Sequence, residues 1–316
     1  MRKLVVLGLL LGTMAFAASN SCWIQDAASS GSLVWLLCQQ GGLLVSEDGG
    51  AHWRHVELPA EAKMRAVELL PGGRGFVVGD GGTVLATEDG GRSWSRVAVP
   101  AHEHLSAIHF VGEHGWIAGW GGTILHSSDG GKTWVRQLTP MPYSLEAIYF
   151  VDARHGWAVG WTGAILRTSD GGQNWEPVRS PAASWSLSAV YFRDVNEGWA
   201  VGFGGQILHT KDGGRTWEAV ASPVRDWLTS IQFDQSGRGW ITTSTGFLVS
   251  EDGGQTWRQM RLDQPAFLSR LIEVGGTLWA VGPFGVLKQE QTKLAWQNLE
   301  LRTATEVSGS REAASS

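Results

Sequence analysis

From residue 23 to about residue 300 the chain alternates short apolar runs with glycine-rich polar breaks, and no stretch carries the 3.6-residue period of a helix. The runs come in groups of four. One group comprises an alternating segment around 147–150 (Ala147-Ile148-Tyr149-Phe150), the run at 157–160 (Trp157-Ala158-Val159-Gly160), a third around 164–168 and a fourth from Trp175 to about 179. Each run has strand length and is bounded by turn residues, so the pattern predicts four short antiparallel strands per group.

The groups are copies of one unit. The string Ser/Thr-x-Asp-Gly-Gly-x-x-Trp occurs six times, with aspartates at Asp48, Asp89, Asp129, Asp170, Asp212 and Asp252 and tryptophans at Trp53, Trp94, Trp134, Trp175, Trp217 and Trp257. Successive aspartates are 41, 40, 41, 42 and 40 residues apart. Four strands per roughly forty residues is the unit of a β-propeller blade, which cannot bury both faces alone and stacks on its neighbours. The aromatic of the second strand appears seven times, at Trp35, Phe76, Trp116, Trp157, Trp199, Trp240 and Trp279. The last unit keeps Leu278-Trp279-Ala280-Val281-Gly282 but loses Asp-Gly-Gly between Gln289 and Ala295, as a terminal repeat does. The expected fold is therefore all-β: a seven-bladed propeller of four-stranded antiparallel blades over residues 22–302. Residues 303–316, rich in Ser, Ala and Glu, are expected to be a disordered tail.

Composition adds a compartment. Arg2 and Lys3, the apolar stretch Leu4 to Leu11 and the small-residue site Ala15-Phe16-Ala17 read as a signal peptide over residues 1–18, too short for a membrane span. An exported location is expected, either periplasmic or extracellular. Removing Arg2 and Lys3 takes the formal net charge from −5 to −7, which argues against nucleic acid as a partner. Cys22 and Cys38 are the two cysteines, and export permits a disulfide. They flank Ser29-Ser30-Gly31 with a common midpoint at residue 30, which places them opposite each other on a hairpin. A lipid anchor on Cys22 is the competing reading.

An aspartate opening a tight turn can accept backbone N–H bonds from the residues that follow, and paired glycines supply positive φ. The six aspartates are accordingly read as structural, as are the second-strand tryptophans. The unit Gly-Trp-Ala-Val-Gly…Ile-Leu…Thr-x-Asp-Gly-Gly-x-x-Trp resembles the photosystem II stability/assembly factor-like family of Asp-box (BNR-repeat) propellers over roughly residues 23–300. The resemblance implies a protein-binding scaffold. The best-studied members are exported to the thylakoid lumen, where they bind an early photosystem II reaction-centre intermediate, and similar chains occur in non-photosynthetic bacteria. It further implies an arginine-rich surface patch, for which Arg65, Arg179, Arg225 and Arg270 are candidates. Ser106 and Glu146 stand where Arg65 does in the two units that follow it.

Asp-box propellers also include sialidases, which require an arginine triad, a Tyr/Glu pair and an aspartate, and usually carry an Arg-Ile-Pro motif. That motif is absent. Tyr149 and Tyr191 occupy equivalent strand positions, so Tyr143, with Glu146 nearby, is the loop tyrosine. A glycosidase needs two convergent carboxylates, and Glu103, Glu146, Asp80 and Asp226 are the candidates. His102, His104 and His109 form the local histidine cluster, read as solvated rather than metal-binding. No metal or other cofactor is expected.

The faces of the propeller differ. The Asp-box turns share one face with polar loops such as Asp152-Ala153-Arg154-His155. The other face collects Trp120, Trp161, Phe203 and Phe284 from second-to-third-strand turns and Tyr143, Trp185, Trp227 and Phe267 from inter-blade loops. The strand period demands no large ring at these positions, and exposed aromatics mark binding surfaces. The expected function is a monomeric, non-enzymatic scaffold holding a protein or membrane-protein client on this face. A carbohydrate-binding propeller or a sialidase-like glycosidase is the alternative.

Overall fold

A computed structural model describes residues 22–39, 41–181, 185–262, 267–283, 285–289 and 296–299. The segments expected to be a signal peptide and a tail, Phe284, and residues 290–295 of the divergent last unit lie outside the described residues.

The strands assemble into seven four-stranded antiparallel sheets, each made from four consecutive strands. The innermost strands are Ile24–Ser30, Met64–Leu69, Leu105–Val111, Leu145–Phe150, Leu187–Phe192, Leu228–Phe233 and Arg270–Val274. Each touches the inner strand of the next blade, and the seventh touches the first, closing a ring around a central channel. The ring closes through packing between whole blades. Ile24, Ala27, Val34 and Trp53 of the first blade form one apolar cluster with Ile272, Val274, Trp279 and Val281 of the seventh.

Blade-to-blade packing explains the aromatic period. Trp35, Trp116, Trp157, Trp199, Trp240 and Trp279 are all but fully buried. Trp157 stacks on Phe192 of the next blade with ring centroids 3.4 Å apart, and Trp116 stacks likewise on Phe150 at 3.6 Å. Three of these tryptophans also donate an indole N–H to a backbone carbonyl of a following Asp box: Trp116 to Gly171 at 3.1 Å, Trp157 to Gly213 at 3.0 Å and Trp199 to Gly254 at 3.3 Å. Such rings supply large apolar burial while the indole N–H keeps a partner.

The Asp box is a closed hydrogen-bonding unit. In the third blade, Asp129 Oδ1 accepts the Thr133 N–H at 2.9 Å and the Ser127 hydroxyl at 2.8 Å. Its Oδ2 accepts the Thr133 hydroxyl at 2.6 Å. The same set recurs at Asp89, Asp212 and Asp252, each with a hydroxyl four residues on, while His52 and Asn174 serve Asp48 and Asp170. These bonds hold the Asp129 carboxyl well below the usual carboxylate range.

A disulfide joins Cys22 to Cys38, with 5.0 Å between the Cα atoms. The hairpin is not centred where the cysteine midpoint predicts. It turns at Gly31-Ser32, and Cys38 pairs in register with Ile24. An extra residue at Gln25 shifts the ladder, leaving Cys22 just before the strand yet within bridging distance.

Candidate functional site

Six inner strands carry a β-bulge near their start. The register skips one residue after Ile24, Met64, Leu145, Leu187 and Leu228, and opposite Ala118 and Gly119 in the third blade. Gln25, Arg65, Glu146, Ser188, Thr229 and Ser106 are therefore unpaired in the ladder. A bulge re-aims its side chain, and all of these except Thr229 line the central cavity of about 540 Å³. The sequence carries a trace of them: a polar residue follows the leucine in Leu105-Ser106-Ala107, Leu145-Glu146-Ala147 and Leu187-Ser188-Ala189. Alternation alone could not reveal the extra residue, because the bulge depends on how the strand meets its neighbours.

The aromatic loop residues sit beside this mouth. Tyr143, Trp161, Trp185, Phe203 and Trp227 each leave 44–49% of their surface exposed, whereas Trp120 and Phe267 are half-buried. Six of them group in pairs, with centroids 5.9 Å apart for Trp120 and Trp161, 5.5 Å for Trp185 and Phe203, and 5.8 Å for Trp227 and Phe267. Bulge residues anchor three of them. Trp161 donates its indole N–H to the Glu146 carboxylate, and Trp227 donates to the Ser188 hydroxyl at 2.7 Å. Arg65 pairs with Asp80 and lies over the Trp120 ring, 5.3 Å from its centre, while His104 meets that ring edge-on at 4.4 Å. The result is a crescent of rings spread over consecutive blades, held by ring packing and, at Trp161 and Trp227, by hydrogen bonds, yet open to solvent.

One turn in the crescent is strained. Trp161-Thr162-Gly163 places Thr162 at φ 56°, where the equivalent residues are Gly121 and Gly204. A β-branched residue in that region is an outlier of the kind that collects at functional sites.

The other candidates separate. Each glycosidase carboxylate already has its own partner: Glu146 has Trp161, Glu103 has Arg136 at 2.8 Å, Asp80 has Arg65 and His104, and Asp226 accepts the Thr245 hydroxyl at 2.6 Å. The arginine bond holds the Glu103 carboxyl down at about 2. Of the candidate arginines, Arg65 and Arg270 line the channel, Arg179 borders a separate groove with Met141 and Trp217, and Arg225 is exposed on an inter-blade loop. The histidines also diverge: His102 is exposed, His104 sits against Trp120, and His109 lies in the channel, its Nε2 3.0 Å from the Phe150 carbonyl. No group of three or more metal-ligating side chains occurs among the described residues.

Residues 45–142 and 137–223 match the protein family described as "Photosynthesis system II assembly factor YCF48". Among solved structures, YCF48 bound to D1 peptide superposes with a TM-score of 0.70 at 22% identity, over 84% of this chain and 92% of that one. YCF48 from Cyanidioschyzon merolae gives 0.69 at 19% identity, over 84% and 94%. A catalytically inactive virginiamycin B lyase from Staphylococcus aureus, solved with quinupristin, gives 0.74 at 14% identity, over 85% and 94%. At these identities the superpositions report a shared propeller fold. No curated protein matches the chain significantly.

Proposed function

The chain belongs to the photosynthesis system II assembly factor (YCF48) family, and from that premise we propose that it is an exported, non-enzymatic, monomeric scaffold that holds a polypeptide client, a segment of a membrane protein, on its aromatic face. The observation that carries this reading is the crescent of Trp161, Trp185, Phe203 and Trp227. These rings are exposed, each packs on a neighbouring ring, and Trp161 and Trp227 are hydrogen-bonded in place, so a partner can cover them without first ordering them. The solved complex of a family relative with a D1 peptide supports a polypeptide as the class of ligand. The separate engagement of Glu146, Glu103, Asp80 and Asp226 supports binding over glycoside hydrolysis. Among the described residues no helix is long and apolar enough to cross a membrane, and export rests on the signal-peptide pattern of residues 1–18.

The test is affinity capture from the exported fraction with the wild-type chain and with Trp161→Ala and Trp185→Ala in parallel. A polypeptide recovered by the wild type and lost by both variants supports the reading. Recovery of glycans instead transfers the face to carbohydrate binding. Equal recovery by all three proteins removes the aromatic face from the function.

A further inference from the structure

The central channel holds a charge arrangement that the aromatic face does not use. Its two arginines are already matched. Arg270 stands 3.4 Å from Asp26, and Arg65 pairs with Asp80. Among the described residues Glu68 has no arginine or lysine within ion-pair distance, and Arg270, which stands against Asp26, acts on it only from farther off. The Glu68 side chain is largely buried, accepts the Phe110 N–H at 3.3 Å and faces His109 Nδ1 at 3.8 Å. His109 does not serve as the cation, because burial holds its imidazole neutral, and its Nε2, 3.0 Å from the Phe150 carbonyl, donates there. That bond fixes the tautomer with a lone pair on Nδ1, turned toward Glu68. Glu273, also on the channel wall, accepts an amide N–H from Gln235 and, among the described residues, pairs with no cation.

The walls around Glu68 complete a receptor for positive charge. Tyr149 stacks on His109 at 4.8 Å and meets Tyr191 at 5.5 Å, lining the cavity with aromatic surface, and their hydroxyls bond to no side chain or backbone group among the described residues. Gln25 gives both amide hydrogens to the Met64 and Arg65 carbonyls, at 3.2 and 3.1 Å, which leaves its buried Oε1 an acceptor without a donor. An unmatched carboxyl, an orphan acceptor and aromatic walls in one cavity all favour a ligand that brings donors and positive charge. An anion would find its two potential partners already neutralised.

We propose that the central channel is a second binding site, distinct from the aromatic crescent, which takes a cationic side chain, arginine or lysine, of a polypeptide onto Glu68. The groups facing Glu68 are Asp26 and Arg270 from the first and seventh blades, His109 from the third and Tyr149 from the fourth. Burial pushes the Glu68 carboxyl up to about 7 and holds the His109 imidazole down at about 4. An incoming cation must displace the Glu68 proton, so its affinity rises with pH up to about 8 and falls below neutrality.

The experiment titrates the full chain with acetyl-Gly-Arg-Gly-amide, acetyl-Gly-Gln-Gly-amide and acetyl-Gly-Glu-Gly-amide, followed by NMR. The arginine peptide binds, with the glutamine and glutamate peptides at least about tenfold weaker, and Glu68→Gln loses about tenfold toward the arginine peptide, as expected for one charge-assisted hydrogen bond. Wild-type affinity for that peptide drops between pH 8 and pH 5.5, whereas that of Glu68→Gln stays flat. If Glu68→Gln does not fold, this pH profile of the wild type alone decides. Equal binding of the three peptides, preference for the glutamate peptide, no binding at all or a flat wild-type profile overturns the proposal. The tripeptide titration reads the channel and affinity capture with Trp185→Ala reads the aromatic face, so failure of the channel site and failure of the aromatic-face reading are read separately.

Discussion

The two glycines of an Asp box look equivalent in sequence but have different structural surroundings, and the first box allows the difference to be measured. Gly49 and Gly50 have φ of 70° and 88°, so alanine at either position incurs the left-handed backbone cost, about 1 kcal/mol after the unfolded chain's lost freedom is credited. A Cβ on Gly49 meets nothing within 4 Å. A Cβ on Gly50 overlaps the indole of Trp279, which is buried in the seventh blade where the ring closes. Overpacking of this kind adds about 1–3 kcal/mol, so Gly50→Ala should lose about 2–4 kcal/mol against about 1 kcal/mol for Gly49→Ala. Urea unfolding of the two variants beside the wild type measures this directly, and at about 2–4 °C per kcal/mol the order should also show in melting temperature. Losses equal to within about 0.5 kcal/mol would refute the idea that the second glycine is demanded by the neighbouring blade rather than by its own turn. The same relation recurs where Gly214 meets Trp157 and Gly254 meets Trp199, both 2.6 Å from a built Cβ.

Trp161→Ala and Trp185→Ala should each weaken client binding by about 2–4 kcal/mol with melting temperature near wild type, while Arg154→Ala on the opposite face leaves binding unchanged; unfolding of the tryptophan variants would show that their rings are core. Thr162→Gly should stabilise the protein by up to about 1 kcal/mol by relieving the left-handed turn, and a loss of stability in urea would mean that the threonine hydroxyl outweighs the strain. Reducing the Cys22–Cys38 bridge, whose intact mass is two hydrogens below the dithiol, should cost about 3 kcal/mol by loop entropy, and an unchanged unfolding midpoint after reduction would contradict this. Glu68 has a raised folded pKa, so the native state binds the proton more tightly than the unfolded chain, and its contribution to stability falls as pH rises from the unfolded value of about 4.3 to about 7. Glu68→Gln should therefore gain on the wild type across that window, and parallel pH–stability curves would show that Glu68 titrates normally.

Much of this molecule is legible in order along the chain. The Asp-box period, the alternating runs and the second-strand aromatics determine the strands, the blades and their number, because each is a local pattern repeated under the same steric rules. The loop aromatics are also legible, because the strand period leaves them without a packing duty. The structure alone decides what residues about forty positions apart do to one another. Glu68 meets Phe110, His109 meets Phe150 and Gln25 meets Met64, because ring closure brings equivalent positions of adjacent blades together. The bulges that turn Arg65, Glu146 and Ser188 toward the mouth, and the hairpin shift that moves Cys22 out of register, likewise follow from strand-to-strand fit. A repeat can state that every blade has an inner strand; which unlike side chains converge on the axis, and which carboxyl is left there without a cation, is a property of the closed ring, since burial and charge pairing are set by neighbours in space.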